Sequence, residues 1–515
     1  MTRPRFTLPV GAGWLLVFAT LAVLNAGGYR YGATDQAFYI PAVARHADPS
    51  LFPRDWAMLG AQDQLNAFTP LAGWAVASLG VPLPALFLAL YAVTLAVLGA
   101  GALAFGSCLG RSRWTAVAIL LALSLRHAVA LGAVNTLEGY THPRLLAFGV
   151  GVLALAALLR GRQWATVGLV ALAGVVHPTT GAWFAVAAGV GLVVAHRAWR
   201  PWLLAAAAAI AALAAWALLA GPLSPRLARM DPEWLSVLAP KRYLFPDSWP
   251  ASEWLVVAAY VAVIAVVYRR RAQGGLAART ETGLVTGIAA LLGLLALALP
   301  LNAARIAFFV QLQVPRVLWL ADLLAVAYLV WLLAEGERGS GIGDRGSGDR
   351  RARTAALVIL ALSLGRGLYV SFVEHPERAL VQVDLAATDW NRVLRWVEDH
   401  TPVDALVVAD PGHAWRHGTS VRVGAKRDVL LEEVKDTAMA MYARASATRV
   451  LERIRALEGF ETLTAGRARD LAARYGVSVL VIDRDLELPL LYRQGSFRIY
   501  SVVRGTTDAA GHSDP

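Results

Sequence analysis

The residues best suited to chemistry follow the first long apolar run. They read Tyr29-Arg30-Tyr31-Gly32-Ala33-Thr34-Asp35-Gln36-Ala37-Phe38-Tyr39, and a little later Pro53-Arg54-Asp55-Trp56. A carboxylate close to a membrane exit can meet a lipid-borne substrate and a water-borne one. Held within hydrogen-bond reach, it accepts the proton of an attacking hydroxyl. Asp35 and Asp55 are therefore candidate bases, with Gln36 and Tyr39 beside the first as candidate substrate contacts. Both acids also stand where Asp commonly caps a helix, a reading compatible with chemistry.

Two further clusters fall at expected membrane ends. Asn135-Thr136-Leu137-Glu138-Gly139-Tyr140-Thr141-His142-Pro143-Arg144 packs an acid, a histidine and an arginine into one short stretch. Val176-His177-Pro178-Thr179 breaks two apolar runs with a His-Pro turn. Ionisable groups at membrane depth are costly and mark functional sites by default. Glu138 is thus a third candidate acid, and His142, Arg144 and His177 are candidate substrate contacts. A histidine before proline is equally a plain turn residue at headgroup level. Arg226, Arg229, Lys241, Arg242, Arg305 and Arg316 lie in loops on the same expected side. Guanidinium forks pair with phosphate oxygens, although contact with lipid headgroups explains any one of them. Asp35, Glu138 and His142 are types that bind a divalent metal, but no ligand spacing argues for one, so no metal is expected to be required.

Other polar residues read more plainly. Arg126 and His127 lie within an apolar run, where a buried pair with Asp322 would satisfy the charge. Asp410-Pro411-Gly412-His413-Ala414-Trp415-Arg416-His417 could offer aromatic faces to a carbohydrate, or be a loop. The one cysteine, Cys108, sits in an apolar run and reads as a small hydrophobe.

These residues need a scaffold, and composition says which kind. Of 515 residues, 57% are apolar and 16% charged, against about 25% charged in soluble chains. Apolar runs lie near 10–27, 84–108, 114–133, 144–160, 163–178, 180–196, 201–221, 252–268, 281–300, 317–334 and 354–371. At 1.5 Å rise per residue, runs approaching 20 residues cross a hydrocarbon core of about 30 Å. The expected fold is an all-α polytopic membrane domain with about eleven transmembrane helices. Arg3 and Arg5, Arg111 and Arg113, Arg160 and Arg162, Arg197 and Arg200, Arg269–Arg271 and Arg350–Arg353 then all fall on one side. Basic clusters mark the cytoplasmic side. This predicts a multi-pass bacterial inner-membrane protein with a cytoplasmic N-terminus and a C-terminal domain outside. The net charge of +12 then reflects topology and anionic lipids rather than nucleic acid.

Residues 1–334 form the expected membrane domain, with a long external loop at 28–83. Within it, 68–79 is too short to cross and reads as interfacial. Gly, Ser and mixed charge make 335–353 an expected flexible cytoplasmic linker. The last span, 354–371, delivers residues 372–515 outside as a small soluble α/β domain. Helices are expected over 385–400, 428–457 and 465–475, the last stopped by Gly476. Strands are expected over 405–409, 477–482 and 497–503.

This plan, together with Asp35-Gln36-Ala37-Phe38-Tyr39 and the stretch from Trp390 to Val408, resembles the GT-C superfamily of membrane glycosyltransferases and its bacterial relatives. In those enzymes an acidic motif occupies the first external loop. The resemblance implies inverting transfer of a sugar from a polyprenyl-phosphate donor, with Asp35 as base. It implies a glycan, lipid or protein acceptor on the external face. Gln36 stands where many members carry a second acid, which argues against a two-carboxylate metal site. Two other readings stay open: a non-catalytic membrane assembly protein keeping this shape, and a secondary transporter. Transporters often carry internal repeats, and none is evident here.

Overall fold

The structure is a computed structural model and describes residues 8–61, 66–336 and 345–502. Arg3, Arg5 and Val503 lie outside the described residues. Each expected span contains one helix: Leu8–Asn25, Leu83–Leu109, Arg113–Ala122, Pro143–Leu159, Gln163–Val176, Pro178–Ala195, Arg200–Leu219, Ala251–Gln273, Arg279–Ala303, Leu318–Glu335 and Arg345–Tyr369. Among the described residues, seven helical stretches are long and apolar enough to cross a membrane, and the chain is a multi-pass membrane protein. Four of the eleven helices are shorter. In Arg200–Leu219, which carries Leu, Ile and Trp side chains, no residue is buried by protein. A helix apolar all round needs an apolar surrounding, and lipid supplies it.

Small residues let the helices approach closely. Pro178–Ala195 crosses Arg279–Ala303 at Gly191 against Gly283 and Ala187 against Gly287. A Cβ on Gly287 would lie 2.1 Å from the Ala187 carbonyl oxygen. At one end of the bundle, buried ion pairs tie neighbouring loops together. Arg271 Nε donates to Glu281 at 2.5 Å, and Tyr328 Oη donates to the same carboxylate at 2.9 Å. Glu335 accepts the backbone N–H groups of Arg111 and Ser112.

The third span departs from expectation. Its helix stops at Ala122 rather than near residue 133. Ser124 turns its hydroxyl back to the Leu121 carbonyl at 2.6 Å, and the chain runs irregularly to His142. Such backbone is tolerated at this depth only inside protein, and Val129, Val134 and Leu137 are indeed buried. The expected Arg126–Asp322 pair is corrected too. His127 Nε2 meets Asp322 at 3.0 Å, while Arg126 donates to the Leu137 carbonyl at 3.1 Å. The expected linker is shorter than 335–353, of which residues 337–344 lie outside the described residues. The final helix already begins at Arg345, and the Ser112 hydroxyl donates to Asp349 from across the bundle end.

At the other end of the bundle, the first long loop carries the Gln36–Ala47 and Phe68–Leu79 helices, packed on one another. Two-residue strand β1 (Tyr29–Arg30) pairs in parallel with β2 (Val381–Gln382). The C-terminal part holds a mixed five-stranded sheet. Its strands are β3 (Leu406–Val408), β4 (Asp428–Val429), β5 (Val479–Ile482), β6 (Leu490–Gln494) and β7 (Phe497–Ser501), in the order β4-β3-β5-β7-β6. Helices Asp389–His400, Glu433–Met439, Arg444–Ala456 and Ala465–Tyr475 accompany it. Gly476 ends the last of these at φ +72°, a left-handed stop that glycine adopts without strain.

Candidate functional site

A cavity of about 400 Å³ opens at the end of the bundle that faces the C-terminal sheet. The turn Gly32-Ala33-Thr34 delivers Asp35 to it, with Gly32 at φ +77° and Thr34 at φ +49°. Asp35 occupies the cap position of the Gln36–Ala47 helix, yet its side chain makes no cap hydrogen bond. The carboxylate points instead to Lys435 Nζ at 2.9 Å and His142 Nε2 at 3.3 Å. Its side chain remains about 32% exposed. Burial would raise this carboxyl, but the Lys435 ammonium and the His142 hydrogen bond outweigh it and hold it well below the usual range.

Two histidines reach the cavity by the same local device. His142 and His177 each cap a helix whose first residue is proline, a position that needs no N–H donor. His142 Nδ1 accepts the Arg144 backbone N–H at 3.1 Å, and His177 Nδ1 accepts that of Thr180 at 3.3 Å. With Nδ1 accepting, the proton of each neutral ring sits on Nε2. Burial and the Arg144 charge push His142 down to about 4. Burial, and then the neighbouring His142 and the Arg144 charge, which would repel a second cation, keep His177 well below its usual value. Neutral His142 therefore donates to Asp35, and the two rings stand 6.4 Å apart.

The remaining walls are basic and apolar. Arg144, Arg226, Lys241, Arg316 and Lys435 line the cavity, and among the described residues Asp35 is the one carboxylate in its lining. Arg226 donates to Gln311 at 3.0 Å and Lys241 to the Val434 carbonyl at 2.7 Å. Arg316 Nε is buried with no hydrogen-bond partner among the described residues, a costly state for a donor unless a ligand satisfies it. Phe38, Val176, Leu223, Phe308 and Leu312 supply apolar wall. Such a lining suits a ligand with an anionic head and a greasy tail.

The structure thus brings together Asp35, Tyr39, His142, Arg144, His177, Arg226 and Arg316. Five expected residues are corrected by their positions. Asp55 is fully buried beneath the C-terminal part, paired with Arg422 at 2.8 Å and Arg449 at 2.7 Å, so no substrate reaches it. Glu138 is buried against Arg144 at 3.4 Å and faces away from this cavity. Gln36 is fully buried behind it, where it accepts the Gly32 N–H at 2.7 Å and closes the turn before Asp35. Arg305 is engaged by Asp247 at 2.7 Å. Arg242 turns to the Ser248 carbonyl, and neither arginine lines the cavity. Lys435 escaped the sequence reading. It lies 400 residues from Asp35 in the chain and carries no local signal. Among the described residues, no three His, Cys, Asp or Glu side chains gather as metal ligands.

No family model and no curated protein matches the sequence. Among solved structures, the chain is similar to the archaeal oligosaccharyltransferase AglB from Archaeoglobus fulgidus, in complex with an inhibitory peptide and a dolichol-phosphate. The likeness has a TM-score of 0.46 at 11% identity and covers 92% of this chain and 69% of that one.

Proposed function

We propose that the protein is a membrane glycosyltransferase of GT-C type that transfers a sugar from a polyprenyl-phosphate donor to an acceptor on the external face of the bacterial inner membrane. One observation carries the reading. An ionised carboxylate, Asp35, is held by a neutral histidine in a cavity whose described lining adds five cationic side chains, an apolar wall and no second carboxylate. A base beside an anion-binding surface is what transfer from a phosphate-linked sugar requires.

In the proposed step, an acceptor hydroxyl attacks the anomeric carbon from the side opposite the phosphate. Its proton passes to Asp35 as the new carbon–oxygen bond forms. The bond to the phosphate oxygen breaks with inversion, and the leaving polyprenyl phosphate keeps the electron pair. Arg316, Arg144 and Lys241 stabilise the charge that develops on it. The Nε2–H of His177 is placed to donate to the same group. Lys435 in the resting cavity neutralises Asp35. An arriving phosphate competes for that ammonium, which leaves Asp35 the stronger base.

The acceptor is a glycan, lipid or protein with a free nucleophile. Orientation follows from charge. The loops carrying Arg111, Arg113, Arg160, Arg162, Arg269 and Arg270 lie at the end away from the cavity, and basic loops favour the cytoplasm.

The test is transfer from a radiolabelled polyprenyl-phosphate sugar in vesicles containing the full chain. Asp35→Asn keeps the shape and removes the base. The expected loss is roughly 100-fold to 10,000-fold, with wild-type amounts of inserted protein. Transfer at the wild-type rate by Asp35→Asn would remove the base role, and with it this reading of the cavity.

A further inference from the structure

A second cavity, of about 200 Å³, lies at the same end of the bundle but on the far side of Glu138. It sits where Leu8–Asn25 ends beside the end of the final helix. Arg30, Arg126, Arg366 and Arg378 line it, against the carboxylates of Glu138 and Glu374. Glu138 is committed to Arg144 of the first cavity at 3.4 Å. The balance left here is strongly positive.

Among the described residues, Arg30, Arg126 and Arg366 pair with no carboxylate. Arg30 Nε is buried without a hydrogen-bond partner among the described residues. Burial, and then the like charges of Arg378 and Arg126, disfavour its charged form. Arg126 donates through Nε to the Leu137 carbonyl. Arg366 is fixed by Asn25 Oδ1 at 2.7 Å, and Asn25 is itself anchored to Ser363 at 3.0 Å. Arg378 meets Glu377 at 3.2 Å. Like charges gathered in a partly enclosed polar pocket repel, and an unpaired buried donor adds to the cost. An anion removes both penalties. Arginine forks match phosphate oxygens in pairs, which favours a phosphate over a spherical ion.

We propose that this second cavity is a phosphate-binding site, distinct from the Asp35 cavity and joined to it through Glu138 and Arg144. Its occupant is a phosphate ester or free phosphate. The position at two helix ends places it at headgroup level, where an anionic phospholipid supplies the same group. Binding here withdraws the arginine field from Glu138 and so alters the partner that orients Arg144 in the first cavity. The proposal stands whether or not the first cavity transfers sugar.

The experiment counts bound radiolabelled inorganic phosphate on the full chain in neutral detergent. Wild type is expected to bind two, one per cavity. Arg30→Gln/Arg378→Gln is expected to bind one, and Arg316→Gln also one. The retained phosphate shows that each variant is folded. If the double variant loses both, the single Arg378→Gln decides, because that side chain is about 30% exposed and its loss leaves the fold intact. It should weaken one of the two sites by roughly tenfold or more. In Arg316→Gln, which keeps only the second site, displacement of the phosphate by added phosphatidylglycerol, but not phosphatidylcholine, identifies the source as a lipid headgroup. A phosphate count unchanged by either lipid identifies free phosphate. A wild-type count of two in both Arg30→Gln/Arg378→Gln and Arg378→Gln would overturn the proposal, as would a single site abolished by Arg316→Gln.

Discussion

Asp55→Asn separates a structural acid from a catalytic one. Asp55 is fully buried and meets Arg422 at 2.8 Å, Arg449 at 2.7 Å and Arg453 at 3.8 Å. It also accepts the Val429 backbone N–H at 3.1 Å. Taking one charge from a buried pair costs about 3–5 kcal/mol, because the partner stays buried. Arg422 keeps Asp436 at 2.7 Å, and asparagine still accepts from Val429. The lower end of the range, about 3 kcal/mol, therefore applies. That is roughly a 150-fold change in the folded-to-unfolded ratio. It lowers the melting of the C-terminal part by roughly 10 °C. Scanning fluorescence of the full chain in detergent reads it through Trp390, Trp396 and Trp415. The pH dependence checks the cause. Burial alone would raise the Asp55 carboxyl, but Arg422 and Arg449 hold it below its usual value. Its stabilisation is thus present above the unfolded pKa and lost as pH falls through the folded one, and the asparagine variant lacks that acid-side slope. Wild-type melting with lost transfer activity would refute this reasoning and return Asp55 to the chemistry.

Three further outcomes follow. Burial raises the Glu432 carboxyl to about 7 despite Arg422. The folded state then binds the extra proton, so wild type loses on the order of 3 kcal/mol as pH rises from about 4.5 to about 7. Melting of Glu432→Gln, compared at pH 5 and pH 8, should lack that decline. Gly287→Val drives a side chain into the Ala187 carbonyl and should cost about 1–3 kcal/mol, seen as a lower melting temperature or less inserted protein. Lys435→Ala removes the largest influence lowering the Asp35 carboxyl. The base then protonates at higher pH, and the acid limb of the transfer-rate profile should move upward.

Local signals in the sequence carried local structure well. Each of the eleven apolar runs coincides with a helix, and Gly476 marked the end of Ala465–Tyr475. The two His-Pro pairs marked helix starts that face the cavity. Signals failed where a partner lay far away in the chain. Nothing near Lys435 announces Asp35, and nothing near Asp55 announces Arg422, 367 residues away. Composition also hides where an apolar run leaves the helix. Leu123 and Val129 look like helix, but Ser124, Arg126 and His127 between them find partners in irregular backbone. β6 had a readable signal in the apolar start Leu490-Leu491-Tyr492 and the turn glycine Gly495 at φ +55°. The polar residues within the strand masked it.

The placement of Lys435 decides what the C-terminal part contributes. Val434, Lys435, Ala438, Met441 and Tyr442 form one wall of the Asp35 cavity. That wall is held in place by hydrogen bonds from the membrane domain's own loops. Trp234 Nε1 donates to the Ala440 carbonyl at 2.8 Å, and Gln311 Nε2 to that of Met441 at 3.0 Å. Without this wall, Asp35 would keep a neutral histidine but lose its ammonium, and the cavity would open to water. Exposure to water weakens every charge interaction on which recognition of a phosphate depends. The membrane helices alone therefore supply the base and most of the cations, but not a site. The site exists only where the chain's last third folds back on the first long loop, and the strand pair β1–β2 and the Asp55–Arg422 ion pair are among the ties that keep it there.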